Sequence, residues 1–350
     1  MDTPTLRILD VVSSSLGDSL SINQLTKRIS NTYGSAYYAN IYHKLQELKN
    51  EGLLNIESQG RFSSIKLNFE NYLLIDTLAE LEIEKKMSFL SKRPDLFAFF
   101  KELDKSLTDK CSIKSISSIK SSKTIKLNKI EFLFLLKETS DYLNETIELC
   151  KTMLGLQKRH NLKIDNLVLD KPDFFDLITS DEINPVRVAL SEKIALFCPQ
   201  AFWGQIKEIA ERNQIRTIKT EIKPLTISDS DLAYNLNRFG YKEVGSSFDM
   251  GKKICIEYLT TILLLKEDAR ELYAISVILE KNDFKSNVLA FLSKKYETAG
   301  RLIGVLKILQ QIKSKPEIEE TIQIIQSFTN EELPADKDSI KRKLELYNAL

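Results

Sequence analysis

Asn40, His43, Gln46 and Asn50 recur three or four residues apart, with Lys44 and Lys49 beside them. That spacing places the four on one side of an α-helix. Amide and imidazole groups held in such a row can hydrogen-bond the edges of bases. Asn and Gln pair bidentately with adenine, and an imidazole can donate to a guanine acceptor. Ala36 and Ala39, earlier in the same stretch, are small enough to let a groove floor come close, and Glu47 shares the face. Lys44 and Lys49 fall at its flanks, where phosphates would lie, and Arg61 stands in a short turn further on. Together, Asn40, His43, Lys44, Gln46, Lys49, Asn50 and Arg61 could read duplex DNA.

The elements that must position these residues are legible around them. Ser21-Ile22-Asn23-Gln24 is a capping-box pattern, and Ile22, Leu25 and Ile29 follow at helical spacing. Asn31-Thr32-Tyr33-Gly34 reads as a turn, after which Ser35 is placed to cap a second helix. Ile41, Leu45 and Leu48 form the apolar stripe of that helix, flanked by Tyr37 and Tyr38, and Gly52 stands where it stops. A strand over 53–57, a Ser58-Gln59-Gly60-Arg61 turn and a strand over 62–67 make a hairpin. Leu6, Leu9 and Val12 supply an earlier helix. The order is that of a winged helix-turn-helix over residues 1–68, a fold whose second helix enters the major groove.

Charge sets a limit on that expectation. Residues 1–70 carry seven basic and seven acidic side chains, and the whole chain of 350 carries 50 and 49. Phosphate neutralisation supplies most non-specific affinity, so this module needs help from a second copy or a second basic segment. A homodimer is one arrangement that provides it. The segment from Lys110 to Lys129 is another, since it holds six lysines and six serines and no acidic residue. Lys114, Lys120, Lys123, Lys126 and Lys129 are its candidate phosphate contacts; the alternative for the run is a solvated loop.

Composition removes other classes. Cys111, Cys150, Cys198 and Cys255 share no metal-type spacing, and His43 and His160 are the only histidines, so no metal site is expected. The cysteines read as reduced thiols of a cytoplasmic protein. The first 20 residues lack a signal-peptide pattern, and apolar runs such as Phe132 to Leu136 are too short to span a bilayer. Phosphate-cradling, dinucleotide and nucleophile-elbow glycine motifs are missing too. No cofactor is expected.

Beyond residue 68 the pattern changes twice. Residues 69–93 read as a linker helix with Leu74, Leu78 and Leu81 on one face, a connector or a dimerisation helix. Residues 94–215 alternate helical and strand patterns: helical at 94–107 and 144–158, strand-like at 130–136, 162–169 and 194–197, with Asp170 and Pro172 starting another helix. Residues 227–350 read as all-helical, with continuous periodicity over 255–279, 288–312 and 318–328. The expected fold class is therefore α+β and multidomain.

Asn50-Glu51-Gly52-Leu53-Leu54, then a hairpin and Leu67-Asn68, resembles the N-terminal winged helix of many archaeal regulators. Val168-Leu169, Lys171-Pro172-Asp173-Phe174-Phe175, Asn184-Pro185-Val186-Arg187, Ile194-Ala195-Leu196-Phe197 and Phe202-Trp203 resemble, in that order, the minimal nucleotidyltransferase domain often fused to it. The resemblance implies a Gly-Ser turn that holds a triphosphate and a pair of carboxylates, two residues apart on the next strand, that hold magnesium. Neither is intact. The Gly-Ser position falls near Lys120-Ser121, with no glycine from Cys111 to Thr152, and the carboxylate pair falls on Lys129 and Glu131. Asp165 on the later strand matches the third carboxylate. The expected central unit is thus a catalytically degenerate nucleotidyltransferase-like domain, with Glu131 and Asp165 as the only catalytic candidates. Helical RNase partners of such domains need an Arg followed closely by His, and no histidine follows His160. Asp268-Ala269-Arg270-Glu271 and Arg301 read as a solvated helix face.

These observations together suggest a DNA-binding transcriptional regulator acting on double-stranded DNA. An active nucleotidyltransferase using Glu131 and Asp165, and a protein-interaction scaffold, are the alternatives.

Overall fold

The computed structural model describes residues 1–59, 62–107, 112–119, 128–212, 215, 217–218, 223–242, 250–266, 269–313 and 315–349. Three helices and a hairpin open the chain. Helix α1 (Thr3–Ser13) is started by Asp2, whose carboxylate accepts the Thr5 N–H at 2.9 Å. Helix α2 (Ile22–Tyr33) begins with the complete Ser21/Gln24 capping box. It is longer than its sequence pattern suggests: Asn31 to Tyr33 are helical, and Gly34 ends the helix at φ 91°, a conformation glycine adopts without penalty. Helix α3 (Tyr38–Asn50) starts later than expected. Ser35 does not cap it; Tyr37 holds the cap position without a side-chain bond. The reason is packing, because Ala36 must reach the core before the helix can begin.

Strands β1 (Leu54–Gln59) and β2 (Phe62–Leu67) pair antiparallel, with Gln59 opposite Phe62. Leu20 bridges Ile65 and ties the α1–α2 connection to the hairpin.

The second sheet is mixed. Its strands are β3 (Ile113–Ile119), β4 (Lys129–Leu136), β5 (Lys163–Leu169) and β6 (Lys193–Phe197), in the order β5-β4-β3-β6. Strand β4 runs parallel to β5 and antiparallel to β3, and β3 is antiparallel to β6. The apolar run of β4 is buried on both faces. Phe132, Phe134 and Leu136 face Phe99 and Leu103 of α5 (Phe97–Leu107) and Leu149 and Met153 of α6 (Tyr142–His160). Leu133 and Leu135 face the opposite core with Phe174 of α7 (Lys171–Thr179), Val186 of α8 (Pro185–Glu192) and Trp203 of α9 (Pro199–Ala210).

Strand β3 corrects the reading of the lysine-serine run as one continuous loop or clamp. Ile113 to Ile119 is an inner strand, with Ser115, Ser117 and Ser118 buried. Backbone pairing to two neighbours holds it there despite its weak side-chain pattern.

Helix α4 (Leu74–Lys92) packs on α9 and β6, burying Leu74, Leu78 and Leu81. That face is therefore used within the chain and is not a dimerisation stripe. The core begun by Ile8 and Leu45 continues through α4 to Phe202 and Trp203, so the first helices share apolar packing with the second sheet.

Seven described helices complete the chain: α10 (Asp229–Arg238), α11 (Ile256–Lys266), α12 (Ala269–Lys281), α13 (Ser286–Lys295), α14 (Ala299–Ile312), α15 (Pro316–Gln326) and α16 (Lys337–Leu346). The stretch 288–312, read as one run of helical periodicity, is two helices. Between α13 and α14, Glu297 takes φ 59° and the axis turns. Periodicity hid the break because apolar residues continue on both sides of it. The whole is a mixed α+β structure, and no helix among the described residues is long and apolar enough to cross a membrane.

One close approach is testable. A Cβ on Gly304 in α14 would lie 1.9 Å from the carbonyl oxygen of Leu333. Gly304→Ala is therefore expected to cost about 1–3 kcal/mol or more through overpacking, read as a lower urea midpoint. An unchanged midpoint would mean that the segment around Leu333 does not rest on α14.

Candidate nucleic-acid interface and buried ion cluster

Helix α3 turns Ile41, Leu45 and Leu48 into the core and presents the other side to solvent. Asn40, His43, Lys49 and Asn50 are exposed, His43 with 80% of its side chain accessible, and Gln46 is half-buried. Four of the seven residues selected from the sequence, Asn40, His43, Gln46 and Asn50, thus share this outward face, and Lys49 is exposed at its flank. Lys44 is different. Its ammonium lies 2.8 Å from Asp2 and 2.6 Å from Glu47. The bond from Lys44 in turn holds the Asp2 carboxyl down at about 2. Lys44 is an internal tie between α1 and α3, so its role as a flanking phosphate contact needs correction. Arg61 lies outside the described residues.

Aromatic groups add to the face. Tyr37 is 73% exposed, Tyr38 and Tyr42 are about half exposed, and the rings of Tyr38 and Tyr42 stack with centroids 6.2 Å apart. Tyr42 went unremarked in the sequence. Its position four residues after Tyr38 is the signal that would have found it.

A second site lies at the start of β4 and β5. Parallel pairing sets Glu131 directly beside Asp165 and Lys129 beside Lys163. Asp165 has no exposed side-chain surface, and the Lys129 ammonium sits 2.7 Å from it and 3.4 Å from Glu131. Glu131, itself buried, takes a second ammonium from Lys295 at the end of α13, at 2.7 Å. Helix α13 packs across β5, and its Lys294 bonds Asn166 at 3.2 Å.

The pairing thus sets Asp165 directly beside Glu131, but the donor set does not suit magnesium. Two carboxylates remain, and each already faces an ammonium group, which donates protons and cannot ligate a metal. Lys129 is a partner of the cluster and is largely buried, so it is not a free phosphate contact. Lys114 lies half-buried on β3, and Lys120, Lys123 and Lys126 lie outside the described residues. No family model, curated protein or solved structure matches this chain. Function must therefore be argued from the geometry of the two sites.

A polar chain, buried at Glu82 and Lys193, joins the first helices to the second sheet. Tyr33 at the end of α2 donates to Asp10 of α1 at 2.5 Å. Asp10 lies 3.1 Å from the Lys85 ammonium, and Lys85 lies 3.3 Å from Glu82, both on α4. Glu82 accepts the Ala195 N–H of β6 at 2.8 Å and stands 4.0 Å from the Lys193 ammonium. Lys193 in turn lies over the Trp203 ring, 4.2 Å from its centroid. Burial pushes the Lys193 ammonium down to about 8, while burial pushes the Tyr33 phenol up. None of Glu82, Lys85 and Lys193 stood out in the sequence, because Asp10, the second partner of Lys85, and Ala195 and Lys193, the partners of Glu82 on β6, lie far away along the chain.

Proposed function

We propose that this chain is a double-stranded-DNA-binding protein of the transcription-regulator kind. In this reading residues 1–68 are a winged helix-turn-helix, and the mixed sheet belongs to a catalytically silent nucleotidyltransferase-like unit. The observation that carries it is the outward face of α3. Exposed Asn40, His43 and Asn50 and half-buried Gln46 stand in one row beside a two-strand hairpin, as groove reading requires. Loss of catalysis is supported by Lys129 and Lys295, which take up the only two carboxylates that could serve the chemistry.

Fluorescence anisotropy of the full-length chain on a random duplex library tests this at low salt. Binding that weakens as salt rises is expected. Asn40→Ala and His43→Ala should each weaken a selected duplex by about 1–3 kcal/mol, roughly ten- to hundred-fold in Kd. Failure of the full-length chain to bind any duplex at low salt would refute the proposal. That result would favour a protein partner, the second reading, for which exposed Tyr37, Tyr38 and Tyr42 and the neutralised Lys44 speak. Incubation with magnesium and labelled nucleotides tests the silent unit; transfer that disappears in Glu131→Ala would overturn it.

A further inference from the structure

A cavity of about 580 Å3 lies between α7 and the C-terminal helices, within the size range of small-molecule sites. Carboxylates dominate its wall: Asp173, Asp176, Glu182, Glu257, Asp283, Glu317 and Glu320. Among the described residues that line it, Lys285 is the one basic side chain. Its ammonium sits 2.7 Å from Asp173 and 2.8 Å from Asp176, so one end of the cavity already holds an alkylammonium group.

The rest of the wall is short of positive charge. Glu182 is tied to Arg238. Glu257, only 3% exposed, accepts the Lys285 backbone N–H at 2.7 Å, and no basic group among the described residues lies within ion-pair distance of it. Burial raises its carboxyl above the usual range. Asn287 also lines the cavity and is only 7% exposed; its Nδ2 donates to Tyr142 Oη at 2.6 Å. Its Oδ1 has no hydrogen-bond partner among the described residues. A buried carboxylate without a counter-charge is costly. A ligand bringing positive charge to the Glu257 end of the cavity would offset that cost.

The carboxylates are spread along the wall, and among the described residues no three His, Cys, Asp or Glu side chains are grouped closely enough to hold a metal ion. The matching charge must be spread as well. We infer that this cavity binds an organic ligand with two or more ammonium groups, a linear polyamine in charge and shape. One ammonium would lie near Glu257 and another toward Glu317 and Glu320. The inference does not depend on DNA binding.

Isothermal titration calorimetry on the full-length chain, free of nucleic acid and at low salt, tests it with spermidine. 1,4-Diaminobutane, butylamine and magnesium chloride serve as separate arms. One saturable site is expected, with spermidine tighter than the diamine and butylamine weaker than both. Glu257→Gln and Glu320→Gln should each weaken spermidine at least ten-fold; the second, at a half-buried position, guards against a folding defect in the first. Absence of saturable heat, unchanged affinity in both variants, or displacement of spermidine by an equal concentration of magnesium would each overturn the proposal.

Discussion

Lys129→Met is expected to lower the stability of the chain by about 3–5 kcal/mol at neutral pH, the usual cost of removing one member of a buried ion pair. Methionine nearly matches the length of the lysine stem, so packing is kept while the charge is lost. Asp165 is fully buried and its nearest ammonium is that of Lys129, so its charge would be left without compensation. Glu131 would keep Lys295, which confines the damage to the β5 side. On the scale of a domain of ~200 residues this is a fall in Tm of about 10 °C, measured by calorimetry. A second variant tests whether a third carboxylate turns the cluster into a metal site. Lys129→Asp should be at least as unstable, but manganese should raise its Tm by several degrees and leave the wild type unmoved. A neutral outcome for Lys129→Met would show that the ammonium does not hold the two carboxylates together.

The second large effect concerns Glu82 and Lys193. Glu82→Gln preserves shape but removes the carboxylate nearest to Lys193, whose side chain is 2% exposed. A loss of about 3 kcal/mol is expected, with Ala195 N–H still bonded to the amide oxygen.

The pH dependence of the same lysine has a definite sign. Folded Lys193 loses its proton near pH 8, and the unfolded chain keeps it to about 10.4. Below pH 8 both states are charged and the burial penalty is fully present. Between pH 8 and 10.4 the unfolded state binds more protons, so stability rises with pH, by up to about 3 kcal/mol from this group. Lys193→Met removes that gain. Urea midpoints of the two proteins from pH 7.5 to 10 should therefore diverge in the wild type's favour as pH rises. Tyr33 and Tyr142, both pushed up by burial, act the other way but equally in both proteins. Parallel curves would remove Lys193 from the pH response.

Local patterns carried much of the fold. The Ser21/Gln24 box, the Asp170 cap and the β4 run appear where propensity and period place them, because each rests on neighbours a few residues apart. Ser35, β3 and the break at Glu297 were lost for the opposite reason. Ala36 packing, pairing to β4 and β6, and the turn between two buried helices are set by distant partners.

The candidate sites divide the same way. Residue identity alone determined that α3 would present Asn40, His43 and Gln46 outward, since a helix with one apolar stripe must expose its other face. It also determined that Lys129 stands two residues before Glu131. Only tertiary structure decided what those lysines do. The parallel register brought Asp165 to Lys129, α13 carried Lys295 from 164 residues away to Glu131, and Asp2 tied up the ammonium of Lys44. A charge is a local property of the chain, but the partner that neutralises it is chosen by packing, because only burial makes an ion pair strong enough to matter.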